Sequence, residues 1–260
     1  MLLVRTPFRV SFFGGGTDYH EYFSEYGGSV LSTAIDKYCY VTLRNMPSLF
    51  SYRNQLTYSK IERFNSPDEL EHPLVREALK YIPTDRIQIA YDADLPACSG
   101  LGSSSAFAVG LLQGLHALKD EYPDSMTLAK EAIHLERTLC NEAGGVQDQL
   151  ATAFGGLNRI DMNADGYAVT PVKLSEERLK ALSESFMMIF TGFTRHSSEV
   201  ASMQKKSCIL HSFTASRNES SCTCSRKHFK GRLCRRFWQT SQPYLAIKEI
   251  TYESDKQYRN

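Results

Sequence analysis

The chain has 260 residues, of which 42% are hydrophobic and 23% charged. That composition supports a packed core and argues against global disorder. Lysine and arginine number 30 against 29 aspartate and glutamate, a net charge of +1, so the chain is not basic throughout. The average conceals an asymmetry. Residues 205–260 carry 12 basic and 4 acidic residues, a net of +8, and residues 1–204 a net of −7. The same tail holds 4 of the 7 cysteines, the single tryptophan and 1 of the 16 glycines. Cys39, Cys98 and Cys140 are far apart and suggest no disulfide framework, so a reducing compartment is the default. Arg5 and Arg9 interrupt the apolar N-terminus, and no stretch approaches the ~20 apolar residues of a spanning helix. These features predict a soluble, cytoplasmic protein.

In chain order, Leu3-Val4 and then residues 8–13 read as strand around Pro7, broken by Gly14-Gly15-Gly16. Residues 29–35 and 38–44 predict two strands, and 50–61 another. Pro73 predicts the first turn of a helix, and 86–92 alternate as a strand does. Residues 106–118 are apolar nearly all round, which predicts a buried helix. A second helix follows over 127–141, with Leu128, Ala132, Leu135 and Leu139 on one stripe, and a third over 146–153. Residues 157–160 and 167–172 read as short strands. Ser175 before Glu176 and Glu177 reads as an N-cap, and 185–192 as a buried strand. Strands before and between helices imply a mixed α/β domain. After about Gln204 no periodicity is evident.

Three segments carry chemistry. The first runs from Pro96 through Ser99, Gly100, Leu101 and Gly102 to Ser103, Ser104 and Ser105, between a strand and the apolar helix. The glycines permit a tight turn, and the first turn of a helix has N–H groups without internal partners. With the helix dipole these make a phosphate-sized anion site. The serine hydroxyls can cap the helix or ligate Mg²⁺. No lysine follows the glycines, so this is not the common P-loop. The second is Pro7 to Tyr19, where a glycine-rich loop after a strand ends in Asp18 and can hold a polyol, Asp18 accepting hydroxyl protons. The third is Gly144-Gly145-Val146-Gln147-Asp148-Gln149, which puts Asp148 in the first turn of a helix. Glu136 lies on the helical stripe Ala129, Ile133, Glu136, Cys140. A carboxylate there is costly unless it is paired or binds metal, and Arg137 and His134 are its neighbours.

Taken together, these segments resemble the GHMP small-molecule kinases, the family of galactokinase, homoserine kinase, mevalonate kinase and phosphomevalonate kinase. PACSGLGSSSA resembles the family's phosphate-binding second motif and TPFRVSFFGGGTDY the sugar-kinase form of its first. VLSTAIDKYCYVTLR, HPLVREALK, QDQLATAFGGLNRI and FTGFTRHSSEVA extend the likeness to residue 204, most of all to the D-glycero-D-manno-heptose 7-phosphate kinase group. The resemblance implies an α+β fold. A domain like the second domain of ribosomal protein S5 would span 1–184, and an incomplete ferredoxin-like C-terminal domain would start at 185–204. It implies that Asp148 is the catalytic base, with Arg9 beside it and beside the transferring phosphoryl group. Gly14, Gly15, Gly16, Thr17, Asp18 and Tyr19 would bind the sugar. Pro96 and residues 99–105 would wrap the nucleotide phosphates, and Ser104, with Ser103 or Ser105 as substitutes, and Glu136 would hold Mg²⁺. The implied reaction moves the γ-phosphoryl group of ATP to the anomeric hydroxyl of heptose 7-phosphate, giving the 1,7-bisphosphate for nucleotide-heptose synthesis. L-fucokinase resembles the group too, which keeps an unphosphorylated sugar open.

The tail departs from the family. It contains only Gly231, where the resemblance leads one to expect a third, glycine-rich motif. It reads as an out-of-frame or disordered basic segment. Cys208, His211, Cys222, Cys224, His228 and Cys234 fit no standard zinc spacing. The basic run from Arg226 to Arg236 suggests nucleic acid, and an S5-like fold is used for RNA binding elsewhere. The acidic body and the phosphate loop argue against that role. The expected partners are therefore ATP and a sugar phosphate, with neither nucleic acid nor membrane, and a homo-oligomer is allowed.

Overall fold

The computed structural model describes residues 1–97 and 99–189. They fall into two compact units, Met1–Val172 and the residues from Lys173 onward. Cys98, the basic tail and the end of the strand predicted over 185–192 lie outside the described residues.

The first unit is α+β. Its spine is β2, Gly28–Asn45, a single 18-residue strand where the sequence predicts two. One edge of β2 pairs antiparallel with β1, Leu2–Phe13, from Leu2 opposite Leu43 to Phe13 opposite Leu31. The register shifts between Pro7 and Arg9, and β1 pairs with β2 alone among the described strands. An edge position tolerates a proline, which has no N–H to give a second ladder. The other edge of β2 takes two partners in turn. Residues 28–33 pair with β6, Leu157–Asn163, and residues 39–45 with β5, Ile87–Ala93. The continuous β2 therefore has a tertiary cause, since three strands share its two edges.

β3, Asn54–Thr57, lies parallel to β5 and forms a hairpin with β4, Ile61–Phe64. The strand predicted over 50–61 is thus the first arm of a hairpin. β7, Gly166–Pro171, closes the far side against β6. A short helix that the sequence pattern does not announce, α1 at His20–Tyr26, buries only Phe23 and has no side-chain cap.

Four helices complete the unit: α2, Pro73–Tyr81; α3, Ser103–Ala117; α4, Ser125–Ile133; and α5, Gln147–Phe154. As predicted, α3 is buried nearly all round, with Ala106, Phe107, Val109, Leu111, Leu112 and Leu115 in the core. They pack with Val41, Leu43, Leu56 and Ile89 of the sheet and with Leu74 and Val75 of α2. Asp124 caps α4 by accepting the Thr127 N–H at 2.7 Å.

The helix predicted over 127–141 changes type partway. α4 gives way at His134–Leu139 to a π-helical turn, in which the Cys140 N–H reaches the Leu135 carbonyl at 2.9 Å. The wider turn inserts a residue and shifts the phase of the apolar stripe. Leu128, Ala132 and Leu135 stay buried, whereas Leu139, predicted on the same stripe, turns outward to 37% exposure.

In the second unit, α6 spans Glu176–Glu184 and buries none of its residues. Ser175 caps it as predicted, accepting the Arg178 N–H at 3.4 Å. The buried strand predicted over 185–192 is corrected where the chain is described: residues 185–189 form no strand, and Met187, Met188 and Ile189 are exposed. An apolar run becomes a buried strand only beside a pairing strand and a covering layer, and no described strand pairs with this one.

Candidate functional site

The turn before α3 is built by two left-handed glycines, Gly100 at φ 76° and Gly102 at φ 74°. A side chain is strained in that region. Gly102 is also the N-cap of α3 and carries no side-chain cap. The serines therefore do not cap the helix, which corrects one of the two roles open to them. Ala106 donates back to the Gly102 carbonyl at 2.9 Å. Helix geometry then leaves the N–H groups of Ser103, Ser104 and Ser105 without internal acceptors, a cradle for an anion. Pro96 and Gly100 are exposed beside it. Leu101 is half-buried, and the buried Ser99 hydroxyl has no protein partner among the described residues.

Arg9 ties this turn to α5. Its backbone N–H donates to the Leu101 carbonyl at 3.1 Å, and its guanidinium donates to the Gly100 carbonyl at 2.8 Å. The other face of the guanidinium makes a two-pronged pair with Asp148, Nε to Oδ1 at 2.8 Å and Nη2 to Oδ2 at 2.6 Å. The side chains are only 13% and 23% exposed, so the pair is poorly screened. Burial works against the charge of Arg9, but Asp148, and Asp18 behind it, outweigh burial and hold the guanidinium above its ordinary value.

Asp18 is 2% exposed. Its carboxylate accepts the N–H of Gly16 at 3.0 Å and of Gln147 at 3.4 Å, and its carbonyl accepts the Val146 N–H at 3.1 Å. The first glycine loop and the Gly144-Gly145 loop thus meet on one carboxylate. A Cβ on Gly145 would lie 1.7 Å from Asp18 Oδ2. Burial, followed by the charge of Asp148, pushes the Asp18 carboxyl up, and the N–H donors pull it part of the way back.

The rest of that loop divides by role. Gly14, at φ 90°, has its Cβ position 1.9 Å from the Ser29 carbonyl, so it is a packing point against β2. Thr17 donates to the Gly14 carbonyl at 2.8 Å and accepts the Ser29 N–H at 3.2 Å. Tyr19 is buried to 6% exposure. These three hold the loop. Gly15 and Gly16 lie above it, and the space above Gly15 ends at the Gln147 side chain, 3.9 Å away. Gln147 in turn accepts the Ser11 hydroxyl at 2.6 Å.

Glu136, on the π-helical turn, is 1% exposed. Its partners are not the neighbours Arg137 and His134, as the sequence suggests. Arg137 donates to the Gly145 carbonyl at 3.1 Å, and the His134 ring lies 5.8 Å from that of Tyr81. Glu136 Oε1 accepts the Ser104 hydroxyl at 2.7 Å, and Oε2 accepts the Ser105 hydroxyl at 2.7 Å and the Gln149 amide. Among the described residues no cation pairs with it. Neutral donors thus satisfy its carboxylate oxygens without supplying a counter-charge. With the Ser104 hydroxyl Glu136 makes a hard, all-oxygen pair that suits Mg²⁺ completed by phosphate oxygens and water.

The family resemblance implies Arg9 beside Asp148 and Ser104 with Glu136, and in the fold each of these pairs is in contact. Sequence reasoning gives Ser11, Gln147 and Gln149 no role. For Gln149 a signal existed, because a polar side chain occupies the buried phase of α5 beside Leu150 and Ala151.

Residues 73–156 match the family model of the GHMP kinases N terminal domain. D-glycero-alpha-D-manno-heptose 7-phosphate kinase of Campylobacter jejuni is 27% identical over 212 residues, 77% of this chain and 62% of that protein. A bifunctional fucokinase/GDP-fucose pyrophosphorylase of Arabidopsis thaliana is 27% identical over 226 residues, 76% of this chain and 21% of that protein. Among solved structures, a D-glycero-D-manno-heptose 1-phosphate kinase from Bacteroides thetaiotaomicron superposes with a TM-score of 0.64 at 28% identity, over 71% of this chain and 64% of that one. The chain spans about three fifths of the heptose-kinase relatives' length. Among the described residues no helix is long and apolar enough to cross a membrane.

Proposed function

We propose that the chain is a GHMP kinase, an ATP-dependent sugar kinase acting on the anomeric hydroxyl of D-glycero-D-manno-heptose 7-phosphate; the match of residues 73–156 to the family's N-terminal domain supports the class. The observation that carries this reading is Arg9, which holds the glycine turn with its backbone and the Asp148 carboxylate with its guanidinium. One side chain thereby spans the distance from a phosphate cradle to a proton acceptor. Phosphoryl transfer asks for little else, since it depends on positioning and charge neutralisation more than on covalent chemistry.

In this reading the N–H groups of residues 103–105 hold the nucleotide phosphates. Asp18, with Gly15 and Gly16 beside it, orients the sugar hydroxyls, and Asp148 takes the proton of the attacking hydroxyl. Arg9 offsets the charge that grows on the phosphoryl group in flight. Ser104 and Glu136 are the residues that would hold Mg²⁺, whose charge would offset that of the nucleotide phosphates. The two heptose-kinase relatives favour the heptose substrate. We assign sugar and ATP binding to an S5-like domain within residues 1–184, its described compact part being Met1–Val172, and a partial ferredoxin-like domain to the residues after it.

The test is ADP release with heptose 7-phosphate, L-fucose and galactose, with the product identified by its phosphorus resonance. Heptose 7-phosphate should give the anomeric phosphate, and Asp148→Asn should lower the rate by roughly 10²–10⁴-fold. Faster turnover of fucose would move the substrate to an unphosphorylated sugar. No turnover of any sugar, or an Asp148→Asn variant of full activity, would refute the kinase mechanism.

A further inference from the structure

α5 sends two consecutive side chains to two different anions. Asp148 leaves the helix toward Arg9. Gln149, about 100° further round the helix, is 0% exposed and donates its amide to Glu136 Oε2. The reverse amide orientation would set a carbonyl oxygen against a carboxylate oxygen, so Nε2 faces Glu136. That leaves Gln149 Oε1 buried with no protein partner among the described residues. A buried, unpartnered amide oxygen is costly, and the bond to Glu136 is what holds the amide in this orientation. Ser105, 3% exposed, occupies the same carboxylate oxygen from α3. Oε2 is therefore doubly held, while Oε1 meets only the exposed Ser104 hydroxyl.

We propose that Gln149 is a positioning residue: it holds Glu136 by Oε2, so that Oε1 and the Ser104 hydroxyl are the oxygens presented to a divalent cation, and it fixes the roll of α5 that aims Asp148 at Arg9. The proposal rests on the reading above, in which Glu136 and Ser104 hold Mg²⁺. It adds a residue that contacts neither the cation nor either substrate. It also explains a fully buried glutamine with half its amide unused.

Two measurements on the full chain test it. The first needs no metal: a double-mutant cycle by denaturant unfolding. Gln149→Met keeps the volume and removes the donor. It should raise the unfolded-to-folded ratio about tenfold in the unmodified chain and less than twofold in the Glu136→Leu background. The second is Mn²⁺ binding, followed by electron paramagnetic resonance with a non-hydrolysable ATP analogue. Gln149→Met should weaken Mn²⁺ about tenfold and leave binding of the metal-free analogue unchanged. Should Gln149→Met fail to fold, Gln149→Asn, one methylene shorter, withdraws the same amide and is read in the same way. A coupling below twofold overturns the proposal. So does equal weakening of Mn²⁺ and metal-free analogue, which is the mark of a merely structural role. If the unmodified chain binds neither, the kinase reading fails, and the cycle still decides whether Gln149 holds Glu136.

Discussion

The two ends of α3 face carboxylates of the same neighbouring segment and treat them in opposite ways. At the N-terminal end, Ser104 and Ser105 offer hydroxyls to Glu136. At the C-terminal end, His116 lies between Glu121 at 2.7 Å and Glu131 at 2.8 Å. Hydroxyls give the Glu136 carboxyl neutral donors alone, whereas the His116 imidazole, its pKa raised by its two carboxylate partners, is the group that can carry a compensating charge. One end of the helix therefore sets a buried carboxyl group, with no basic partner among the described residues, beside an anion cradle. The other end is a clasp between α3, α4 and the loop joining them. The difference separates a site from a structural contact, although both consist of a carboxylate against a helix end.

The contrast can be broken by substitution. The largest effect is expected at the site end. Arg9→Met leaves Asp148 and the buried Asp18 facing one another without a cation, and should cost on the order of 3 kcal/mol of unfolding free energy. A loss below about 1 kcal/mol would mean that the turn and α5 are held by other contacts. Next comes Ser105→Ala, which removes a donor from a buried carboxylate. It should cost about 2 kcal/mol, the penalty of leaving a buried acceptor short of a donor. An unchanged unfolding midpoint would show that this hydrogen bond does not stabilise the fold.

The smallest effect belongs to the clasp, and it depends on pH. Burial alone would lower the pKa of His116, but its bonds to Glu121 and Glu131 outweigh burial and raise it. The folded state therefore holds the proton more tightly than the unfolded chain. The clasp's contribution is complete below the unfolded value of about 6.5 and is lost as pH rises through the higher folded value. Unfolding at pH 6 and pH 8 should show His116→Gln less stable than the parent by up to about 1 kcal/mol at the lower pH, with the gap closing at the higher. A gap that widens with pH would reverse the sign and disprove the clasp.

Much of this molecule is legible in one dimension. The apolar density of residues 106–118 announces a buried helix, and the paired glycines before it announce the turn, because both properties are local. Asp148 in a helical first turn and Ser175 as an N-cap follow from terminal hydrogen-bonding rules. The π-helical turn was not legible. It follows no local preference, yet it decides that Leu139 faces outward and that Glu136 meets two serines and a glutamine rather than Arg137.

The reactive groups and the local backbone that carries them can be read from the residues: the glycine turns, the helix starts, and the carboxylates at 18, 136 and 148. Those depend on steric and hydrogen-bonding rules that act within a few residues. Which groups meet lies outside those rules: family resemblance implied the pairs, and packing makes the contacts. Arg9 reaches Asp148 across 139 positions of chain, and Ser104 reaches Glu136 across 32. Such pairings depend on β2 running unbroken between three partner strands and on α3 being buried against them. A charge finds its partner through the packing of the whole domain, which no window of the sequence contains.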